Sequence, residues 1–248
     1  MKSSYVYEVM PQEIDMHRRL RLYTLENILL TVAGRDSDEH GYGIQHLLPY
    51  NYTWVIVRLH LQMKYIPTHN EHIRVETWVE QNAHMLSTRN YRVYLIDPTS
   101  HNERLIGRAT SVWAVLDLDK REIVNAFDMP MFANTVDGET INMPKAPRLT
   151  PILTPTGIVP HTIQYSDCDY NRHCNSCKYL ERMMDAYPVN VQNKCISLTI
   201  NYLKEVKFEE HIRTIFLTSS QSVQYQQVDE IGHTLCTCRI DTNNELDF

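Results

Sequence analysis

Between Asp167 and Tyr179 the chain reads Asp-Cys-Asp-Tyr-Asn-Arg-His-Cys-Asn-Ser-Cys-Lys-Tyr. An acid, an amide and an imidazole, Asp169, Asn171 and His173, alternate immediately before an apolar helical pattern. Side chains so placed converge where a helix exposes its unpaired backbone N–H groups, at the positive end of its dipole. A carbonyl that gains negative charge during attack is stabilised in such a place. The backbone N–H groups of residues 174–177 are the candidate donors for that oxygen, with Asn175 and Ser176 as candidate helix caps. Cys174-x-x-Cys177 beside His173 and Cys168 also invites a zinc reading, but no second such pair exists, and a metal would take the imidazole. The expectation is free thiols and no metal or other cofactor.

The elements that must carry these residues form a repeat. Glu71-His72-Ile73-Arg74 recurs as Glu210-His211-Ile212-Arg213, an offset of 139 (210 − 71). Upstream, Val57, Leu59, Leu61 and Met63 alternate with polar residues and map at that offset onto Ile196, Leu198, Ile200 and Tyr202. Period-two alternation predicts a half-buried antiparallel strand in each copy. A helical stripe precedes each strand: Leu22, Leu25, Leu29, Val32 and Ala33 in the first copy, Leu180, Met183, Met184 and Tyr187 in the second. Asp15 stands before the first helix as Asp169 stands before the second, an offset of 154 (169 − 15). An extra loop around Gly41-Tyr42-Gly43 and Pro49 accounts for the difference between the offsets. Later strands are expected at Arg74–Glu80, Asn90–Ile96 and Arg104–Leu116, then at Arg213–Ser219, Ser222–Val228 and His233–Ile240. Each half is thus one helix with several antiparallel strands, an α+β unit. Six of the eleven prolines lie at 128–160, which predicts a linker between residues 1–127 and 161–248.

Composition closes off other classes. With 43% apolar and 22% charged residues, the 248-residue chain has the profile of a soluble globular protein. A net charge of −6 argues against non-specific nucleic-acid binding. The first 15 residues lack the pattern of a signal peptide, and no apolar run approaches the roughly 18 residues of a membrane span, so the expected location is the cytoplasm. No Gly-x-Ser-x-Gly elbow, phosphate-binding loop or dinucleotide fingerprint is present.

The stretch from Asp169 closely resembles the Asp-x-Asn-x-His-x-Asn-x-x-Lys-Tyr signature of the acyl-acyl-carrier-protein (acyl-ACP) thioesterases. The resemblance runs on to Pro188 and resumes at Asn201-Tyr202-Leu203-Lys204-Glu205. In the first half it takes in Leu25-Glu26, Trp54-Val55 with Arg58, Thr77-Trp78-Val79, Ala109 to Trp113 and the turn Asp119-Lys120-Arg121. It implies a tandem, or double, hotdog fold, each half a long helix packed on a curved antiparallel sheet. It also implies hydrolysis of acyl-ACP to free fatty acid and carrier, with Asp169, Asn171, His173 and Glu205 as catalytic residues. The cysteine that usually follows the family's glutamate is Val206 here, which shifts weight onto Glu205. The first half has Asp15, His17, Arg19 and Ile66 at the corresponding positions, so it is expected to shape the acyl pocket while the second half hydrolyses. Alternatives are an acyl-CoA thioesterase, a hotdog dehydratase, or a non-catalytic acyl-binding protein.

The partner so implied is acyl carrier protein, an acidic protein by family knowledge. Arg172, Lys178, Arg182, Lys204 and Lys207, with Arg18, Arg19 and Arg21 in the first half, are the basic residues that could hold it, and a homodimer stays open. Glu205 has no settled aim: strict alternation turns it away from Leu198, Ile200 and Tyr202. Either that face meets the other half or a bulge re-aims it.

Overall fold

The computed structural model describes residues 2–169, 172–243, 245, 246 and 248. The first half contains β1 (Lys2–Glu8), α1 (Leu22–Glu39), a single turn α2 (Ile44–Leu47), β2 (Tyr52–Met63), β3 (His72–Ala83), β4 (Leu86–Ile96), β5 (Glu103–Asp117) and β6 (Glu122–Val124). The second contains β7 (Gly157–Thr162), α3 (Ser176–Ala186), β8 (Cys195–Tyr202), β9 (His211–Thr218), β10 (Ser222–Asp229) and β11 (Thr234–Asn243). The strands form one sheet in the order β1-β3-β4-β5-β2-β8-β11-β10-β9-β7, with β6 on β5. That order is a palindrome of two five-stranded units joined between β2 and β8.

At the join His60 pairs with Thr199, the residue 139 positions on, so a pseudo-two-fold axis passes between them. The imidazole Nδ1 of His60 lies 2.9 Å from the Thr199 hydroxyl there. Both helices bury their apolar stripes against one face of the sheet. Leu25 and Leu29 of α1, and Leu180 and Met183 of α3, meet Leu59, Leu61, Leu198 and Ile200 in a common core. Tyr187 lies just past α3 rather than on its stripe, and stacks on Phe216 with ring centroids 5.1 Å apart.

Both offsets reappear as hydrogen bonds. Val9 N–H donates to Glu71 O (2.9 Å) and Ile163 N–H to Glu210 O (3.0 Å). Leu20 N–H donates to Pro67 O and Cys174 N–H to Val206 O, each at 2.7 Å. The two edge strands are where the apolar pattern is weakest. β1 is rich in Ser and Tyr, and β7 begins at Gly157, inside the proline-rich stretch 128–160, and holds Pro160. A proline is tolerated there because β7 pairs only with β9 and one side of its backbone needs no partner.

Residues 139–152 cross the face opposite the helices. Trp78 Nε1 donates to Glu139 O (2.7 Å), Asn201 Nδ2 to Pro147 O (3.2 Å) and Gln224 Nε2 to Thr150 O (2.6 Å). The prolines fix an extended path, and the sheet's outward polar side chains satisfy its carbonyls. No helix among the described residues is long and apolar enough to cross a membrane.

Candidate active site

The loop before α3 closes on itself through backbone bonds. Asp169 N–H donates to His173 O (2.8 Å), and Arg172 N–H donates to Asp169 O (3.0 Å) with Arg172 at φ 64°. The Asp169 carboxylate accepts from the His173 backbone N–H at 3.3 Å, so it orders the backbone that presents the imidazole. Asn175 caps α3: its side-chain oxygen accepts from Cys177 N–H at 3.1 Å. Three of the four candidate oxyanion donors are therefore committed, Cys174 N–H to Val206 O, Asn175 N–H to Asp167 O and Cys177 N–H to the Asn175 cap. The N–H of Ser176, the first residue of α3, has no partner among the described residues, and Ser176 lines the cavity beside His173. Asn171 lies outside the described residues.

A bulge answers the question of Glu205. β8 ends at Tyr202, after which Leu203 N–H and Lys204 N–H both donate to the same oxygen, Leu235 O, at 2.9 and 3.0 Å. Two residues facing one partner break the alternation and turn Glu205 toward the loop of α3. Its Oε2 stands 3.8 Å from His173 Nε2, too far for a direct hydrogen bond. The same oxygen is held by Arg121, from the turn between β5 and β6 of the first half. Burial first, then the nearby cations Arg121 and Lys207, hold the His173 imidazole below its ordinary pKa, against the pull of Asp169 and Glu210. Both effects favour the neutral imidazole.

Asp169, His173 and Glu205 stand together at one part of a cavity of about 610 Å³. The same cavity is lined from the first half by α1, by Trp54, Ile56 and Trp113, and by Ser37, Tyr42, Ser87 and Arg89. Arg121 joins the site although only its place in a family-like turn pointed to it; nothing in its local sequence signals a partner 84 residues away. Glu26 on α1 lies behind the cavity wall, 1% exposed, and accepts from the Tyr202 hydroxyl.

The thiols are turned to oxygen acceptors: Cys168 Sγ toward Gln164 O, Cys174 Sγ toward Asn175 O and Cys177 Sγ toward Asn27 Oδ1. Among the described residues no group of three or more His, Cys, Asp or Glu side chains could hold a metal ion. Several of the basic residues are already matched by acids, Arg182 by Asp167 (2.6 Å), Lys178 by Glu181 (2.5 Å) and Lys204 by Asp229 (3.2 Å). Arg172, Lys207 and Arg18 remain exposed with no acidic partner among the described residues.

Comparison with known proteins follows the same division. Residues 2–129 match the family model for the acyl-ACP thioesterase N-terminal domain and residues 156–244 the model for its C-terminal domain. The chain is 26% identical over 217 residues to palmitoyl-acyl carrier protein thioesterase of Arabidopsis thaliana, covering 80% of this chain and 51% of that protein. It is 21% identical to oleoyl-acyl carrier protein thioesterase of Coriandrum sativum, covering 82% of this chain and 59% of the relative. The chain thus spans between half and three-fifths of the length of these plant proteins. Among solved structures it is similar to an acyl-ACP thioesterase from Bacteroides thetaiotaomicron, at 28% identity and a TM-score of 0.84, with 98% of each chain covered. The fold is likewise that of the 12:0-ACP thioesterase from Umbellularia californica, at 18% identity and a TM-score of 0.81, covering 98% of this chain and 97% of that one. With both family models matched in order and a double-hotdog architecture along its length, the chain belongs to the acyl-ACP thioesterase family.

Proposed function

We propose that this protein hydrolyses the thioester of acyl-ACP, releasing a free fatty acid and the carrier. The observation that supports the reading is one cavity lined both by Asp169, His173 and Glu205 of the second half and by apolar residues of the first, among them Leu30, Trp54, Ile56 and Trp113. A thioesterase needs an activated water, a site for the oxyanion and a long apolar pocket beside them. The 3.8 Å gap between His173 Nε2 and Glu205 Oε2 suits groups that share a water or a substrate atom rather than each other. Glu205 takes the proton from that water, or attacks the carbonyl itself. Arg121 holds its carboxylate in place. His173 hydrogen-bonds the substrate, or passes on to the departing sulfur the proton that Glu205 takes from the water, and Asn171 orients the water or the carbonyl. The Ser176 N–H at the start of α3 supports the oxyanion. Asp169 acts on the backbone that presents His173.

On this reading the protein serves fatty acid biosynthesis, with the cytoplasm as its proposed location and acyl carrier protein as its partner, met by Arg172, Lys207 and Arg18. Parallel assays with acyl-ACP and acyl-CoA of equal chain length test the proposal. A higher kcat/KM on acyl-ACP is expected. Faster turnover of acyl-CoA would reassign the carrier, and binding without turnover would reassign the protein as an acyl-binding module.

A further inference from the structure

We propose that the buried Asp36–Arg89 ion pair, closed by Tyr42, is the end wall of the acyl pocket, and that Gly34 keeps the last stretch before it open. Together they set the longest chain the enzyme accepts. The inference rests on the thioesterase reading above and adds a structural basis for its chain-length limit.

The wall is built by the way α1 ends. Gly41, at φ 80°, takes the left-handed conformation that closes the helix: its N–H donates to Asp38 O (3.3 Å), and the Tyr42 N–H donates to Ser37 O (2.9 Å). The Tyr42 ring is thereby folded back beside Asp36, and its hydroxyl donates to Asp36 Oδ2 at 2.7 Å. Arg89, projecting from β4, donates to the same carboxylate oxygen at 2.6 Å, to Thr77 Oγ1 at 3.2 Å and to the Tyr42 hydroxyl at 2.6 Å. Asp36, Arg89 and Tyr42 are 3%, 4% and 3% exposed, and both Arg89 and Tyr42 face the cavity. Burial opposes the Asp36 charge, but Arg89, Ser3 and Tyr42 outweigh it and hold the carboxyl below its ordinary range. A hydrocarbon end meeting this network gains no partner, and separating the buried charges to let it pass is strongly unfavourable. The wall is rigid for that reason.

Gly34 supplies the second argument. Leu30, Ala33, Gly34 and Ser37 fall at i, i+3, i+4 and i+7 of α1, and all four line the cavity. Gly34 has no positive φ that would require a glycine, and a helix interior is among the least favourable places for one. A Cβ added there meets no atom within 4 Å, so the space a side chain would take belongs to the cavity.

The test uses saturated acyl-ACPs from eight to eighteen carbons with the wild type, Gly34→Leu and the double variant Asp36→Leu/Arg89→Met. Direct binding of free fatty acids of the same lengths is measured in parallel. Each methylene excluded from the pocket lowers kcat/KM about fourfold, from about 0.8 kcal/mol per buried CH₂. Gly34→Leu is expected to cut kcat/KM on the longest accepted chains by about 15-fold or more while sparing chains several carbons shorter. The double variant is expected to shift the optimum toward longer chains. The fatty-acid affinities should follow the same pattern, which tests the wall even if turnover proves to need another carrier. An unchanged length profile in folded Gly34→Leu protein overturns the proposal, whether or not the double variant folds. A wild type that binds graded fatty acids but hydrolyses no acyl thioester overturns the enzymatic reading instead.

Discussion

Glu26 to Gln is expected to stabilise the protein at neutral pH and not at acid pH. Glu26 sits on α1 between the two halves, 1% exposed, with its Oε1 bonded by the Tyr202 hydroxyl and its Oε2 without a partner among the described residues. The titratable groups that feel its charge are thiols and a phenol: Cys177 from α3, Tyr202 from β8, and Cys236 and Cys238 from β11. No cation among the described residues offsets its charge. Burial therefore pushes its pKa up to about 7, against the small opposing effect of the Tyr202 hydrogen bond. From an ordinary glutamate value near 4.3, a rise of that size is worth on the order of 3 kcal/mol.

The sign follows from proton uptake. Between about pH 4.3 and 7 the folded protein holds a proton on Glu26 that the unfolded chain has released, so stability falls as pH rises through that window. Glutamine keeps the volume and can still accept from Tyr202, but it does not titrate. The difference in unfolding free energy, Glu26→Gln minus wild type, should grow by about 3 kcal/mol from pH 4.5 to pH 8 and then level off. For a chain of this size that is a relative shift in Tm of roughly 6–12 °C. Urea unfolding of both proteins at half-unit pH steps measures it, and taking the difference cancels every other titrating group. A difference that stays flat, or one that falls as pH rises, would mean that Glu26 is ionised and partnered in the folded protein.

Loss of the carboxylate in Glu205→Ala should lower kcat by about 10²–10⁴-fold with an unchanged circular dichroism spectrum; near-wild-type turnover would remove Glu205 from the chemistry. His173→Ala should cripple hydrolysis while His17→Ala changes it little, because Ile66 stands in the first half where Glu205 stands in the second; equal losses would contradict the division between the halves. Charge reversal at Arg172 or Lys207 should raise KM for acyl-ACP and spare a short acyl-pantetheine, with KM rising as salt screens contacts beyond about 8–10 Å. Equal damage to both substrates would leave these residues out of carrier binding.

The repeat was readable because a half-buried strand must alternate and a packed helix must carry a stripe, so two copies of one fold leave two copies of those patterns. The match of Glu71 to Arg74 with Glu210 to Arg213 reflects one turn built twice: Glu71 accepts from Thr68 N–H and Glu210 from Lys207 N–H, at 2.8 and 3.1 Å. β1 and β7 were not readable, since an edge strand with one bonded neighbour needs little apolar character and can hold Pro160. The aim of Glu205 was undecidable from alternation, because the bulge at Leu203 and Lys204 depends on the carbonyl of Leu235, which no local pattern reveals. Arg121 escaped for the same reason: its partner is fixed by the packing of one half on the other. The polar wall at Asp36 and Arg89 left no local pattern to read, since their pairing joins α1 to β4 across 53 residues.

Conservation of shape between the halves also changes what Asp169 means. Asp15 N–H donates to Arg19 O (2.7 Å) as Asp169 N–H donates to His173 O (2.8 Å), and Arg18 and Arg172 take φ values of 62° and 64°. The Asp15 carboxylate accepts from His17 N–H and Arg19 N–H at 2.8 and 2.9 Å, as the Asp169 carboxylate accepts from His173 N–H. The first half keeps this loop without Glu205 or an imidazole at the position of His173, so the aspartate's first task is to fold the loop. On that argument Asp15→Ala and Asp169→Ala should each cost about 1–2 kcal/mol of stability, the cost of losing a carboxylate that satisfies backbone donors. Only Asp169→Ala should lower kcat, because only that loop presents His173, and Asp169→Asn, which still accepts, should recover part of both losses. Urea unfolding and steady-state kinetics on the three variants measure this. An Asp169→Ala protein as stable as the wild type yet inactive would place the carboxylate in direct contact with the reacting groups instead.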